Sequence, residues 1–139
     1  MQVYPYLIFN GNTAEAMTFY QQVLGGELNM SRFSEMPDFE QHFNAEVADR
    51  IMNAQLKFDD GLFMASDGCP DQPTGPIDGF AVALAFNDTT RAAYVFDALA
   101  ADGTTIMPWE PTFWADAFGM VKDKYGVTWM VNSGIKNHG

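Results

Sequence analysis

The stretch FWADAFGMVKDKYGVTWMVN, Phe113–Asn132, decides how this chain is read, because bulky residues alternate on both sides of a polar Asp-Lys-Tyr-Gly segment. Alternation with period two marks strands that bury one face. A turn from Asp123 to Gly126 therefore makes the stretch a hairpin. A shorter hairpin stands upstream in NAQLKFDDGLFMASD, Asn53–Asp67, where Asp60-Gly61 supplies favoured turn residues. Setting Gly61 on Gly126 superposes the two hairpins and puts Ala65 on Met130.

A strand and a helix precede each hairpin. Tyr6–Leu28 opens on an apolar strand, and Asn12 is the expected helix N-cap with Glu15 as its capping-box partner. Ala16, Met17, Phe19, Tyr20, Val23 and Leu24 then recur at helical spacing until Gly25-Gly26 stops the helix. Val82–Ile106 repeats the pattern with Asp88 as cap, Ala92, Ala93, Phe96, Leu99 and Ala100 along the helix, and a stop at Gly103. The two segments align without a gap, Ala16 on Ala92, Tyr20 on Phe96 and Val23 on Leu99.

The chain thus states βαβββ twice, which predicts an α+β fold of two modules, about 1–67 and 80–134, within one domain spanning 1–139. One such module is too small to close a core alone. The first copy is longer by about eleven residues, which fall in Ser34–Arg50 and suit a short helix near Asp38–Val47 or a flap. The joining loop, Asp67–Gly79, carries too many prolines and glycines for regular structure, so 68–79 reads as a linker.

Composition narrows the partners. A net charge of −11 disfavours nucleic acid, whose phosphates would be repelled, and an anionic membrane surface. No segment approaches the roughly 18 apolar residues of a membrane span, and no signal-peptide pattern opens the chain, so a cytoplasmic location is expected. The single cysteine, Cys69, rules out an internal disulfide and reads as a loop or core thiol. The two histidines, His42 in the long insertion and His138 at the end, are badly placed for a catalytic trio. Asp59, Asp60, Asp67, Asp71 and Asp78 punctuate turns, where aspartate serves the backbone.

Paired βαβββ modules with PYLIFNGNTAEAMTFY near the start, LGGEL after the first helix and FW..AFGMVKDKYGVTWMV at the close resemble the vicinal oxygen chelate superfamily. That superfamily includes glyoxalase I, bleomycin-resistance proteins and extradiol dioxygenases, and the pattern looks like its PhnB-like branch. The resemblance covers nearly the whole chain and implies curved mixed sheets with helices on their outer faces, in a homodimer that exchanges strands. Proteins like this are often labelled demethylubiquinone methyltransferases. The residues lend that label no support, since no glycine-rich loop with a downstream acidic partner follows a strand and opens a helix.

Metal-dependent members of the superfamily place one ligand, His or Glu, on each of four strands. The resemblance puts the first at Pro5, and the helix alignment carries it to Ala81. The last falls on Met130, and the hairpin alignment carries it back to Ala65. None of these four side chains suits a divalent ion, so neither a metal nor another cofactor is expected. Asn53 stands where many relatives carry a His.

Strand alternation then sorts helix-facing from inward-facing residues. Val82, Leu84, Phe86, Val127, Trp129 and Val131 should meet a helix, while Ala81, Ala83 and Ala85 should leave volume on the inner face. Pro5, Leu7 and Phe9, then Phe63, Ala65 and Asp67, then Thr128, Met130 and Asn132 complete the expected inner lining, with Trp114 at its mouth. Leu56 and Phe58 lie opposite the first hairpin's inner set, and the face of Asn53, Gln55 and Lys57 is expected against Ala65. An apolar cavity edged by a few polar groups suits a small molecule. Three functional readings stay open: a binding or sequestering protein, an enzyme of the same fold (lyase, isomerase or dioxygenase) with an atypical site, and a structural dimer with a vestigial pocket. No catalytic residue is identified. The residues favour binding over metal-dependent glyoxalase or methyltransferase chemistry.

Overall fold

The computed structural model describes residues 1–42, 45–58, 60–68 and 75–136. The chain forms two compact units, Met1–Ile77 and Asp78–Gly139. In the first, β1 (Tyr6–Ile8) leads into α1 (Thr13–Leu24), and β2 (Glu27–Arg32) follows. The insertion is built of short turns of helix, 3-10 at Phe33–Glu35 and Ala45–Val47 with α2 (Phe39–His42) between them. The hairpin β3 (Ile51–Phe58) and β4 (Gly61–Ser66) completes a four-stranded sheet in the order β1-β4-β3-β2. Here β1 runs parallel to β4 and the other pairs are antiparallel.

The second unit repeats this plan. β5 (Val82–Phe86), α3 (Thr89–Ala100), β6 (Thr104–Glu110), β7 (Ala115–Lys122) and β8 (Thr128–Ile135) give the order β5-β8-β7-β6. β5 is parallel to β8, and the rest is antiparallel. The α+β duplication expected from the sequence is therefore the observed architecture.

The two long helices, α1 and α3, each cover one face of their own sheet. On α1, Ala16, Met17, Tyr20, Val23 and Leu24 are buried, and the Tyr20 ring meets Phe63 of β4 edge-on at 5.9 Å. On α3, Ala92, Val95, Phe96 and Leu99 are buried against a sheet face that includes Val121, Trp129 and Val131, all fully buried. Gly119 of β7 lets α3 come close, because a Cβ there would lie 2.4 Å from the Phe96 ring. Burial of side chains this large is worth roughly 1.5–3 kcal/mol each, which is why the helix stripe overrides weak local propensity.

The helices keep the ungapped alignment, since Ala16 and Ala92 are both fully buried and Tyr20 and Phe96 both pack on the sheet. The strands do not. Phe9-Asn10-Gly11-Asn12 leads into α1, but the shorter Phe86-Asn87-Asp88 leads into α3. The β3–β4 turn fits between the paired residues Phe58 and Gly61, whereas the β7–β8 turn runs from Lys122 to its partner Thr128. As a result the helix-facing pair Leu7–Ala65 of the first unit corresponds to Leu84–Val131 of the second. The ungapped alignments set Leu7 on Ala83 and Ala65 on Met130 instead, so each strand is displaced by a single position.

A slip of one residue turns every side chain of a strand to the other face. That slip turns the strand residues of the first unit to the other face, while those of the second keep the facing read from alternation.

Candidate functional site

In the first unit Leu7, Phe9, Phe63, Ala65 and Asp67 are all buried, at 0, 3, 3, 0 and 4% exposure. They belong to the α1 side of the sheet, not to the inner face expected for them. Leu7 pairs with Ala65 and Ala65 with Ala54, so these residues form one continuous packed row. The opposite face carries Tyr6 and Ile8 of β1, Met64 of β4, and Asn53, Gln55 and Lys57 of β3. Gln55 pairs with Met64, and Lys57 with Leu62, so this polar face does not lie against Ala65 as expected. Pro5 is exposed ahead of β1, and its carbonyl accepts from the Met64 N–H at 2.9 Å.

Asp67 has a structural task. Its Oδ1 accepts from the N–H groups of Gly11 and Thr13, both at 3.0 Å, and from the Thr13 hydroxyl at 2.6 Å. Its Oδ2 accepts from the Ile51 N–H at 2.8 Å. Asn12 occupies the N-cap position of α1 but makes no side-chain cap bond, so the expected capping box is replaced by a carboxylate from the far end of β4. Such a carboxylate satisfies orphan donors and complements the positive end of the helix. The Arg50 guanidinium caps the same corner through the Asp67 carbonyl at 2.7 Å and Asn10 Oδ1 at 3.3 Å. In the second unit Asp88 does cap α3, accepting from the N–H groups of Thr90 and Arg91.

The candidates of the second unit lie on the sheet face turned away from α3. Ala83 pairs with Met130, Met130 with Met120, and Met120 with Met107, which sets three methionines in one cross-strand row. The neighbouring row runs Ala85, Asn132, Phe118, Glu110. Thr128 pairs with Lys122 at the end of the same face. Ala83 and Ala85 are exposed, so small side chains leave this part of the face open. Ala81 is exposed ahead of β5 and joins no ladder.

Asn132 stands out in this row. Only 8% of it is exposed, and its side-chain oxygen is buried without a hydrogen-bond partner. A buried, unmade acceptor costs about 1–3 kcal/mol and asks for an explanation. Trp114, half-buried before β7, sets its ring against Phe118 at 5.0 Å and 60°. Alternation along β7 was the signal for Phe118, since Met120 and Phe118 share the face of Met130 and Asn132. Glu110 escaped because β6 has register shifts on both sides of Met107.

The four positions marked for metal ligands by the resemblance do not stand as a matched set, because the one-residue displacement makes Met64, not Ala65, the counterpart of Met130 and Val82, not Ala81, the counterpart of Pro5. None of these side chains is a His or a carboxylate. Among the described residues no group of three or more His, Cys, Asp or Glu is placed to hold a metal. Cys69, His138, Asp59, Asp71 and the His42 side chain lie outside the described residues. The first unit also carries a cleft of about 460 Å³ bounded by Gln2, Val3, Tyr4, Lys57, Phe58 and Asp60, which contains none of the expected lining residues. No described helix is long and apolar enough to cross a membrane.

Comparison with known proteins agrees with this geometry. Residues 1–132 match the family described as 3-demethylubiquinone-9 3-methyltransferase. The Escherichia coli protein YjdN is 37% identical, with 95% of each chain covered. The crystal structure of protein PA1353 from Pseudomonas aeruginosa is 43% identical, with 96% of this chain and 98% of that one covered and a TM-score of 0.87. A glyoxylase/bleomycin resistance protein/dioxygenase domain from Frankia sp. is 13% identical over 99% of this chain and 95% of that one, and its TM-score of 0.63 shows the shared fold.

Proposed function

The chain belongs to the family described as 3-demethylubiquinone-9 3-methyltransferase, and on that premise we propose that it is a small-molecule-binding protein of the glyoxalase/bleomycin-resistance fold. The binding surface is the open face of the second sheet, where Ala83, Met130, Thr128 and Asn132 lie. The observation that carries this reading is the buried, unpartnered Asn132 oxygen beside exposed alanines. A ligand that donates a hydrogen bond there would satisfy the buried acceptor this row leaves unmade, while polarizable methionines adapt to its apolar body. Trp114, through Phe118, closes the row at one side. Pro5 and Ala81 immediately precede β1 and β5.

The family's description names a methyltransferase, and the sheet topology favours binding over that reading. Each sheet has one parallel pair among antiparallel strands, not the doubly wound parallel sheet that presents a nucleotide-type cofactor at its switch point. Binding and sequestration need no such site.

A thermal-shift screen of small molecules tests the reading. Compounds that bind the folded state must raise its melting temperature by mass action. Hits are expected with the wild-type protein and lost in Asn132→Leu, whose own unliganded stability should rise by about 1 kcal/mol because a buried orphan acceptor is removed. A screen without hits, or hits unaffected by Asn132→Leu, would overturn the assignment in favour of a vestigial face.

The working unit is a homodimer in this proposal. Within each unit the terminal strands β1, β2, β5 and β6 pair along one side only among the described residues. Free edges invite pairing with another chain, and Tyr6, Ile8, Ile106, Met107 and Ile135 leave large apolar side chains exposed on terminal strands and on β8. Light scattering should give twice the chain mass. A strict monomer across the micromolar range would remove this part.

A further inference from the structure

The open face of the second sheet is selective in charge as well as shape, and we propose that the molecule it takes is a cationic amine carried on an apolar body. The inference rests on the binding reading above and specifies its ligand. Its basis is the row Ala85, Asn132, Phe118, Glu110, which crosses four neighbouring strands. The three side chains beyond alanine offer an unpartnered carbonyl oxygen, an aromatic ring and a carboxylate. Each attracts an ammonium group, and the ring and the carboxylate offer an anion no hydrogen bond.

Glu110 is placed on this face by its pairing with Phe118, beyond the register shift that follows Met107. Trp109 beside it lies on the helix side, with its ring 5.4 Å from Phe96 of α3. Glu110 is exposed and free to adjust, while Phe118 is held by the Trp114 ring. Strands stand roughly 4.8 Å apart, so Asn132 and Glu110 lie about 10 Å from each other with the Phe118 ring between them. An ammonium over the Phe118–Trp114 pair is then within reach of both oxygen-bearing side chains, and its apolar body extends over Met120 and Met130 in the next row.

The positive groups nearest this row are Lys122, four positions along β7 from Phe118, and Lys136, four positions along the chain from Asn132, each roughly 13 Å away along its strand. Lys122 edges the face at Thr128 and Lys136, whose N–H donates to the Trp114 carbonyl at 2.7 Å, edges it at the other end, so neither shares the row. The net charge of −11 adds a field that concentrates cations and repels anions. A neutral donor would gain only the Asn132 contact, and a carboxylate would be repelled by Glu110.

Three probes of one size separate these cases by calorimetry: benzylamine, which is protonated at pH 7, benzyl alcohol and benzoate. Benzylamine should bind at least about tenfold more tightly than benzyl alcohol, a difference of ~1.4 kcal/mol, and benzoate should not bind. Glu110→Gln should shrink that preference to about threefold or less, without a change in melting temperature, and added salt should act in the same direction. Equal affinity for the amine and the alcohol would overturn the cation assignment while leaving the binding reading intact. Preferred binding of benzoate, or no binding of any probe, would overturn it too, and the library screen with Asn132→Leu judges the binding reading separately.

Discussion

Replacing Asp123 by alanine is expected to lower the unfolding free energy by about 3–5 kcal/mol, a large part of what a domain of this size has in reserve. Asp123 is only 4% exposed, and both its carboxylate oxygens are committed. Oδ1 accepts from the N–H groups of Tyr125 at 2.8 Å and Val127 at 3.0 Å, which closes the β7–β8 turn. Oδ2 accepts from the indole N–H of Trp129 at 2.8 Å, the largest fully buried side chain. Alanine would strand that indole N–H in the core and free two turn amides. Gly126, at φ +92°, would still permit the turn but would no longer be held in it.

The mechanism makes a second expectation. Trp129→Phe on its own removes a satisfied donor and some volume, and should cost about 1–3 kcal/mol. In the Asp123→Ala background the same change removes an unsatisfied donor, so its cost should shrink toward zero. Urea denaturation of the two single variants and the double variant measures this coupling. Additive costs would show that the carboxylate does not act through the indole.

This turn also shows why the fold was legible. Asp123, Gly126 and Trp129 are close neighbours in the chain and act as local signals for one another, so alternation and turn chemistry in Phe113–Asn132 point to the same hairpin. The helix stripes agree between copies because Ala16 and Ala92, and Tyr20 and Phe96, do the same packing work. Facing in the first unit was not legible, because it depends on a single position of loop length. Gly11 adds a position before α1 that the second unit lacks, and the longer β7–β8 turn adds its own shift. Leu7 and Ala65 carry no mark that tells a packed alanine from one left beside a cavity. In the second unit the large residues Trp129 and Val131 fixed the helix side, so Met130 and Asn132 fell on the open face as expected. The role of Asp67 lay beyond local reading for another reason: its partners Thr13 and Gly11 are 54 and 56 residues away.

Asp67→Ala is the other large effect expected, at about 3–5 kcal/mol, and the duplication supplies its internal control. At the corresponding corner of the second unit Ser133 stands where Asp67 stands in the first, and its hydroxyl meets the Thr89 hydroxyl at 2.8 Å. Thr89 opens α3 as Thr13 opens α1. The two corners join the same elements, yet α3 has its own cap in Asp88, while α1 depends on the distant carboxylate. Asp67→Ala would leave the N–H groups of Gly11, Thr13 and Ile51 without their acceptor, along with the Thr13 hydroxyl. Ser133→Ala removes one neutral hydroxyl contact and should cost about 1 kcal/mol. Hydrogen exchange should report the difference by place: the α1 amides lose protection in Asp67→Ala, and the α3 amides keep theirs in Ser133→Ala. Equal costs at the two corners would mean that α1 does not depend on Asp67 for its start. The expected inequality would show instead that the two repeats share a backbone plan but anchor their helices by different chemistry.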